Sequence, residues 1–120
     1  MSYISNSLVL FIAALHLYFL VLEMFFWTSP KVIKSFGLKS KEYAEETKVL
    51  AANQGLYNGF IAAGLIFSVI MGDTNTAIFF LSCVIIAGIY GWYSTKKKNI
   101  FIIQSIPAII ALSITIIKYF

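Results

Sequence analysis

Apolar residues in this chain are gathered into four long, nearly unbroken runs. Each run is close to the roughly 20 residues that a helix needs to cross a bilayer. Backbone groups have no water partners in hydrocarbon, so the pattern favours helices over strands, even in the last run, which is rich in β-branched Ile. The predicted membrane spans are 4–27, 49–71, 76–93 and 100–117.

The stretch between the first two runs carries signals for a short helix and for the start of a long one. Ser29 is a suitable N-cap, Pro30 suits the first helical position, and Gly37 can end this short helix. Ser40 is a second N-cap, and acidic residues follow it, which the positive end of a helix dipole favours. A helix over 41–71 would be about 46 Å long. Its first turns are therefore expected to protrude from the membrane.

Composition also indicates a membrane protein. Apolar residues make up 60% of the chain and charged residues only 12%, which is too little charge for a water-facing shell of ordinary size. The net charge of +4 comes from Lys residues that mostly flank the apolar runs, so nucleic-acid binding has no support. The first run follows no basic segment and precedes no small-x-small cleavage site, so we expect a retained span rather than a signal peptide.

These features predict an all-α, four-helix transmembrane bundle, antiparallel up-and-down with short loops, forming a single domain over 1–120. The connections differ in charge, and this difference predicts sidedness. Lys residues are concentrated in the first and third connections, whereas 72–75 has none. Cytoplasmic loops are enriched in Lys and Arg, so both Lys-bearing loops are expected in the cytoplasm and both termini outside.

Polar residues inside the spans recur at helical spacing and are expected to face other helices, because polar groups are costly in lipid. Counted at 1.5 Å per residue, one layer is expected roughly 5–10 Å below the cytoplasmic surface, formed by Glu23, Asn53, Gln54, Tyr90 and Gln104. His16 and Asn58 are expected near the midplane. Gly55 and Gly59 form a small-xxx-small pair on the adjoining face, where another helix can approach closely. The candidate pocket residues are His16, Glu23, Asn53, Gln54, Tyr57, Asn58, Tyr90 and Gln104.

Each of these residues has a structural and a functional interpretation. Glu23 is either a carboxyl held by Gln54 or Tyr90 to fix helix packing, or a group that handles a proton, a cation or a ligand. His16 is either an interhelical hydrogen-bonding residue or a relay. One His allows an axial haem ligand, but a bis-His haem or a structural zinc site lacks ligands within one chain. Without a recognised catalytic or nucleotide motif, no catalytic residue, metal or cofactor is assigned.

Four segments of the chain resemble the DUF1304 family of small uncharacterised bacterial membrane proteins. They are HLYFLVLEMFFW (16–27), TKVLAANQGLYNGFIAAG (47–64), CVIIAGIYG (83–91) and QSIPA (104–108). The resemblance extends over nearly the whole chain, and its second-span motif is long and specific. It implies a four-span protein of the bacterial cell membrane and transfers no activity.

We therefore expect a non-enzymatic membrane protein that binds, and moves, a small polar ligand or a proton through a pocket near the cytoplasmic side. Glu23 would carry the charge. A bundle of 120 residues can hardly enclose a complete alternating-access path, so transport would require a homodimer. One alternative is a membrane-embedded enzyme that uses Glu23 as acid or base on a lipid-soluble substrate; no second acid or nucleophile accompanies it. The other is a structural or partner-binding protein whose polar layer fixes helix register.

Overall fold

The computed structural model of the protein describes residues 1–119, with side chains described through residue 117, and within these residues it contains helices and no strand. The first four helices are α1 (Tyr3–Phe25), α2 (Pro30–Phe36), α3 (Lys41–Met71) and α4 (Thr74–Thr95). The last helix, α5, runs through three consecutive segments: Lys98–Ile100, a π-helical turn over Phe101–Ser105, and Ile106–Tyr119.

Four of these helices, α1, α3, α4 and α5, are long and apolar enough to cross a membrane. The predicted all-α class with four membrane-length apolar helices is therefore confirmed. Helix α1 stops at Phe25, two residues before the approximate end predicted for the first span, and the bounds of the spans within the membrane stay predictions. The chain turns after Phe25, with the Ser29 hydroxyl donating to the Phe26 carbonyl at 2.8 Å.

The predicted helix boundaries around α2 and α3 are confirmed by their caps. The Ser29 hydroxyl oxygen accepts the Val32 N–H at 3.3 Å. Gly37 ends α2 with a φ of 65°, a left-handed conformation that glycine adopts without strain. The Ser40 hydroxyl oxygen accepts the Tyr43 N–H at 3.0 Å and so begins α3.

Helix α4 begins in the short connection after α3, at an aspartate N-cap. The Asp73 carboxylate accepts the Thr76 hydroxyl at 2.6 Å and the Thr76 N–H at 3.3 Å. These hydrogen bonds, the hydroxyl bond first, hold the pKa of Asp73 below its usual value. The charged residue Asp73, which lies outside the spans, thus caps α4 in the turn that connects it to α3.

The helices form two compact units, each with parts of α1 and α3. One unit comprises Met1–Ala14 and the chain from Ile61 onward; the other is Leu15–Phe60. The single domain expected over 1–120 stays a prediction. In the first unit, four helices share one core that consists mainly of small and medium aliphatic side chains. Its buried members are Val9, Ile12, Ala13, Ala62, Leu65, Ala77, Leu81, Val84, Ala108 and Ala111.

Helices α4 and α5 approach each other closely at Gly88. A Cβ atom there would collide with the Ser105 hydroxyl and would lie 3.1 Å from the Ser105 backbone nitrogen. The same hydroxyl donates to the Ile85 carbonyl at 2.9 Å. Ser105 ends the π-helical turn, two residues before Pro107. Proline donates no N–H and so leaves a carbonyl of the preceding turn without its helical partner, which accounts for a local change of helix type at this place.

Substitution of Gly88 by Val should destabilise the protein, because the added side chain meets backbone as well as a side chain of α5. We expect a loss of about 1–3 kcal/mol in the free energy of unfolding, typical of overpacked sites. The matched control is Ala87→Val, at an exposed neighbouring position, which should change it by less than about 0.5 kcal/mol. Equilibrium unfolding in mixed micelles measures both. Equal losses would contradict the close packing at Gly88.

Candidate functional site

The second unit is organised by a close contact between α1 and α3. A Cβ atom on Gly55 would lie 2.8 Å from Met24 Cγ, 3.1 Å from Glu23 Cβ and 3.2 Å from the Leu20 carbonyl oxygen. A Cβ atom on Gly59 would lie 2.7 Å from Leu20 Cδ1. The small-xxx-small pair found in the sequence therefore packs against α1, and the absence of side chains at these two positions permits the close approach.

This contact brings the Glu23 side chain across to α3. Glu23 is only 2% exposed. One carboxyl oxygen accepts a hydrogen bond from the Gln54 side-chain amide and the other from the Asn58 side-chain amide. Gln54 and Asn58 are four residues apart and so lie one above the other on the same face of α3. Gln54 is itself exposed and Asn58 half-buried, so the carboxyl is buried behind its two amide partners.

Both hydrogen-bond donors to Glu23 are neutral, which leaves the charge of a carboxylate without a counter-ion. Among the described side chains, the hydrogen-bond partners of Glu23 are these two amides. Lys48, the nearest Lys along α3, instead contacts Glu45 at 3.3 Å on the exposed surface. The two amides satisfy the hydrogen bonding of the Glu23 carboxyl but do not neutralise the negative charge of its ionised form.

Asn53 and Tyr57 do not reach Glu23. The Asn53 side-chain amide donates to the Val49 carbonyl of its own helix at 2.8 Å. Tyr57 is 61% exposed and its ring lies 6.0 Å from that of Phe60. Both residues lie about 160° around α3 from Gly55, at roughly 100° per residue, so they point outward once α1 packs on that glycine. Asn53 nevertheless borders the cleft beside Glu23, whereas Tyr57 is not in the lining of that cleft; the ligand-binding part proposed for both stays a prediction.

The remaining candidates are His16, Tyr90 and Gln104. His16 is buried, and its ring packs edge-on against Phe19 at 5.4 Å. It lies one heptad before Glu23, about 10.5 Å along the axis. Tyr90 and Gln104 belong to the first unit, where Tyr90 is 65% exposed and Gln104 lies in the π-helical turn of α5. The parts proposed for these three residues stay predictions.

An open cleft of about 390 Å³ lies beside the carboxyl, between the end of α1 and the first half of α3. Glu23 and Asn53 in its lining were predicted pocket residues, whereas Trp27, Thr28 and Lys48 were not, although Trp27 follows Glu23 at helical spacing. The indole N–H of Trp27 donates to the Thr47 hydroxyl at 3.0 Å, and its ring packs against Phe36 at 5.1 Å. The lining residues are Glu23, Met24, Phe25, Trp27, Thr28, Lys48, Val49, Ala52 and Asn53.

These features define a multi-pass helical membrane protein with a buried carboxyl held by two amides. The chain belongs to the DUF1304 family: residues 10–116 match the family model described as "Protein of unknown function (DUF1304)". It is also 33% identical over 116 residues to the uncharacterized protein YpaA of Lactococcus lactis subsp. lactis (strain IL1403), covering 93% of this chain and 96% of that protein. No solved structure matches it. The family membership predicted from the sequence is confirmed.

Removal of one amide partner should weaken the α1–α3 contact. We expect Asn58→Ala to lower the free energy of unfolding by about 0.6–2 kcal/mol, the range for interhelical hydrogen bonds in membranes. Asn53→Ala is the matched control, because the Asn53 amide bonds only to its own helix. In a Glu23→Leu background the effect of Asn58→Ala should shrink, since the shared partner is gone. Equal effects of Asn58→Ala in both backgrounds would show that Glu23 is not its partner.

Proposed function

We propose that this membrane protein binds a small polar ligand or a proton at Glu23 and that binding is a step in moving it across the bilayer. The observation that supports the proposal is the Glu23 carboxyl itself. It is buried in a membrane helix, bonded only to neutral amides among the described residues, and placed at an open cleft.

A purely structural role explains this arrangement less well. An ionisable group within a membrane is costly and tends to mark a pathway or a ligand site. Helix register could be fixed by Asn or Ser, whose side chains hydrogen-bond across helices without carrying a charge. A carboxyl at this position adds the capacity to gain or lose a charge, which a register-fixing residue does not need.

We also propose that the site opens towards the cytoplasm. Lys48, which lines the cleft, belongs to the first of the two Lys-rich connections. Lys-rich loops near membrane helices favour the cytoplasmic side. This orientation places both termini outside and the connection around Asp73 outside as well.

The transporting form is proposed to be a homodimer formed through the outward face of α3. Asn53 and Tyr57 are exposed on this face within the span, and polar groups facing lipid are unfavourable. An asparagine side chain both donates and accepts, so Asn53 is self-complementary across a two-fold axis. A second copy of the chain would thus supply hydrogen-bond partners for the polar groups on this face, and a different protein would not be needed.

Native mass spectrometry of gently extracted protein tests the ligand and the dimer together. We expect the wild-type chain to carry a small additional mass and to be observed at twice the subunit mass. Glu23→Gln should lose the additional mass because the charge is removed, whereas Glu46→Gln, on the exposed first turns of α3, should keep it. Retention of the same mass by Glu23→Gln and by Gln54→Ala would remove the basis of the proposal. A purely monomeric spectrum would argue against the dimer alone.

Sidedness is tested with single cysteines in a Cys83→Ser background. We expect a cysteine at Asp73 to react with a membrane-impermeant maleimide added to intact cells, and a cysteine at Lys97 to react only after the membrane is permeabilised. The Lys-bearing connection around Lys97 is the reason for this difference. The reverse labelling pattern would overturn the orientation.

A further inference from the structure

The charge balance at Glu23 restricts what can complete its site. A carboxylate in a low-dielectric environment needs a compensating charge or a proton, because hydrogen bonds from neutral groups do not supply one. Gln54 and Asn58 supply two hydrogen bonds and no charge. Lys48 lines the same cleft, but its ammonium contacts Glu45 and its side chain is 60% exposed. A ligand that compensates the charge of Glu23 is therefore a cation.

The acceptor capacity of the carboxyl supports the same conclusion. An ionised carboxylate offers about four lone-pair sites on its two oxygens. The two amides take one on each oxygen and fix the carboxyl in place. The remaining sites can accept N–H groups or face a cationic centre, and Glu23 borders the cleft from which such a group would enter.

The apolar lining of the cleft favours an organic cation over a metal ion. Aromatic faces attract ammonium groups within about 6 Å of the ring, and Trp27 lines the cleft while held by Thr47 and Phe36. Met24 adds a polarisable thioether surface. Among the described residues no group of three His, Cys, Asp or Glu side chains is placed to hold a metal ion.

From this combination we propose that the cleft binds a small organic ammonium ion. Its cationic head pairs with the Glu23 carboxylate and its hydrocarbon part lies against Trp27 and Met24. The cleft volume of about 390 Å³ falls within the range of small-molecule sites, about 300–1,000 Å³. This inference rests on the proposed function of the Glu23 site and specifies the chemical class of its ligand.

A probe series that differs only in the charged group tests the inference on the purified full chain in lipid nanodiscs. The probes are benzyltrimethylammonium, benzylamine, benzyl alcohol and benzoate, and isothermal titration calorimetry measures their dissociation constants. We expect both cations to bind at least about tenfold more tightly than the alcohol, and benzoate to be the weakest. This comparison uses the wild-type chain, so it does not depend on the folding of any variant.

Two variants assign the interaction to residues. Glu23→Gln should weaken binding of both cations by about tenfold or more, and Trp27→Leu should weaken benzyltrimethylammonium by about threefold or more, as cation–π contacts do. Glu46→Gln is the control and should leave both unchanged. The elution volume of each variant in size-exclusion chromatography identifies any that fail to fold.

The outcomes separate this inference from the proposed function. Binding of the alcohol or benzoate as tightly as the cations, or cation binding unaffected by Glu23→Gln, overturns the organic cation. So does the absence of binding by all four probes. Another outcome is that native mass spectrometry still detects an additional mass on the wild-type chain that the Glu23→Gln variant lacks. In that case the proposed Glu23 site is supported and its ligand belongs to another chemical class. If no such mass is found either, both proposals fail.

Discussion

The candidate site depends on the short distance between α1 and α3 at Gly55. A single methyl group there would meet Met24 Cγ, Glu23 Cβ and the Leu20 carbonyl oxygen at 2.8–3.2 Å, so these atoms of α1 would have to shift. The residue next to this contact, Glu23, is the one that bonds to the amides of Gln54 and Asn58 on α3. The contact that packs the two helices is thus the same contact that forms the site.

Close approach through small residues also governs the first unit. Lipid is as apolar as the helix surfaces, so burial of large aliphatic groups gives little gain, and helices associate through tight packing and interhelical hydrogen bonds. Ala62, Ala77 and Ala108 accordingly lie in the core, whereas Phe79 and Ile86 are more than 60% exposed. Gly88 and the Ser105 hydroxyl supply the corresponding close contact and hydrogen bond between α4 and α5.

The sequence predicted four membrane-length helices, the caps of α2 and α3, and Gln54 as one of two alternative partners of Glu23, because hydropathy, cap chemistry and helical periodicity are local properties. It did not separate Asn53 and Tyr57 from Asn58. All of them fall within an arc wide enough to count as one face, and periodicity alone does not tell which edge of that arc meets α1. The position of Gly55 distinguishes these residues, because Gly55 marks the side of α3 that packs on α1. Asn58 lies about 60° around the helix from Gly55, and Asn53 lies about 160° from it. Hydropathy alone placed Trp27 in the first span. The chain turns before it because the Ser29 hydroxyl donates to the Phe26 carbonyl, and hydropathy does not reveal such a contact.

The neutrality of the two amides also has a consequence for how the site can work. A Lys partner would hold Glu23 in a permanent buried ion pair, and removal of either member would leave an isolated charge, which is strongly unfavourable. Amide N–H groups donate to a carboxylate and also to the oxygens of a carboxylic acid. Gln54 and Asn58 can therefore keep their hydrogen bonds, with the packing at Gly55 undisturbed, whether Glu23 is ionised or protonated. The proposed binding and release of a charged group at Glu23 requires this independence of helix packing from charge state.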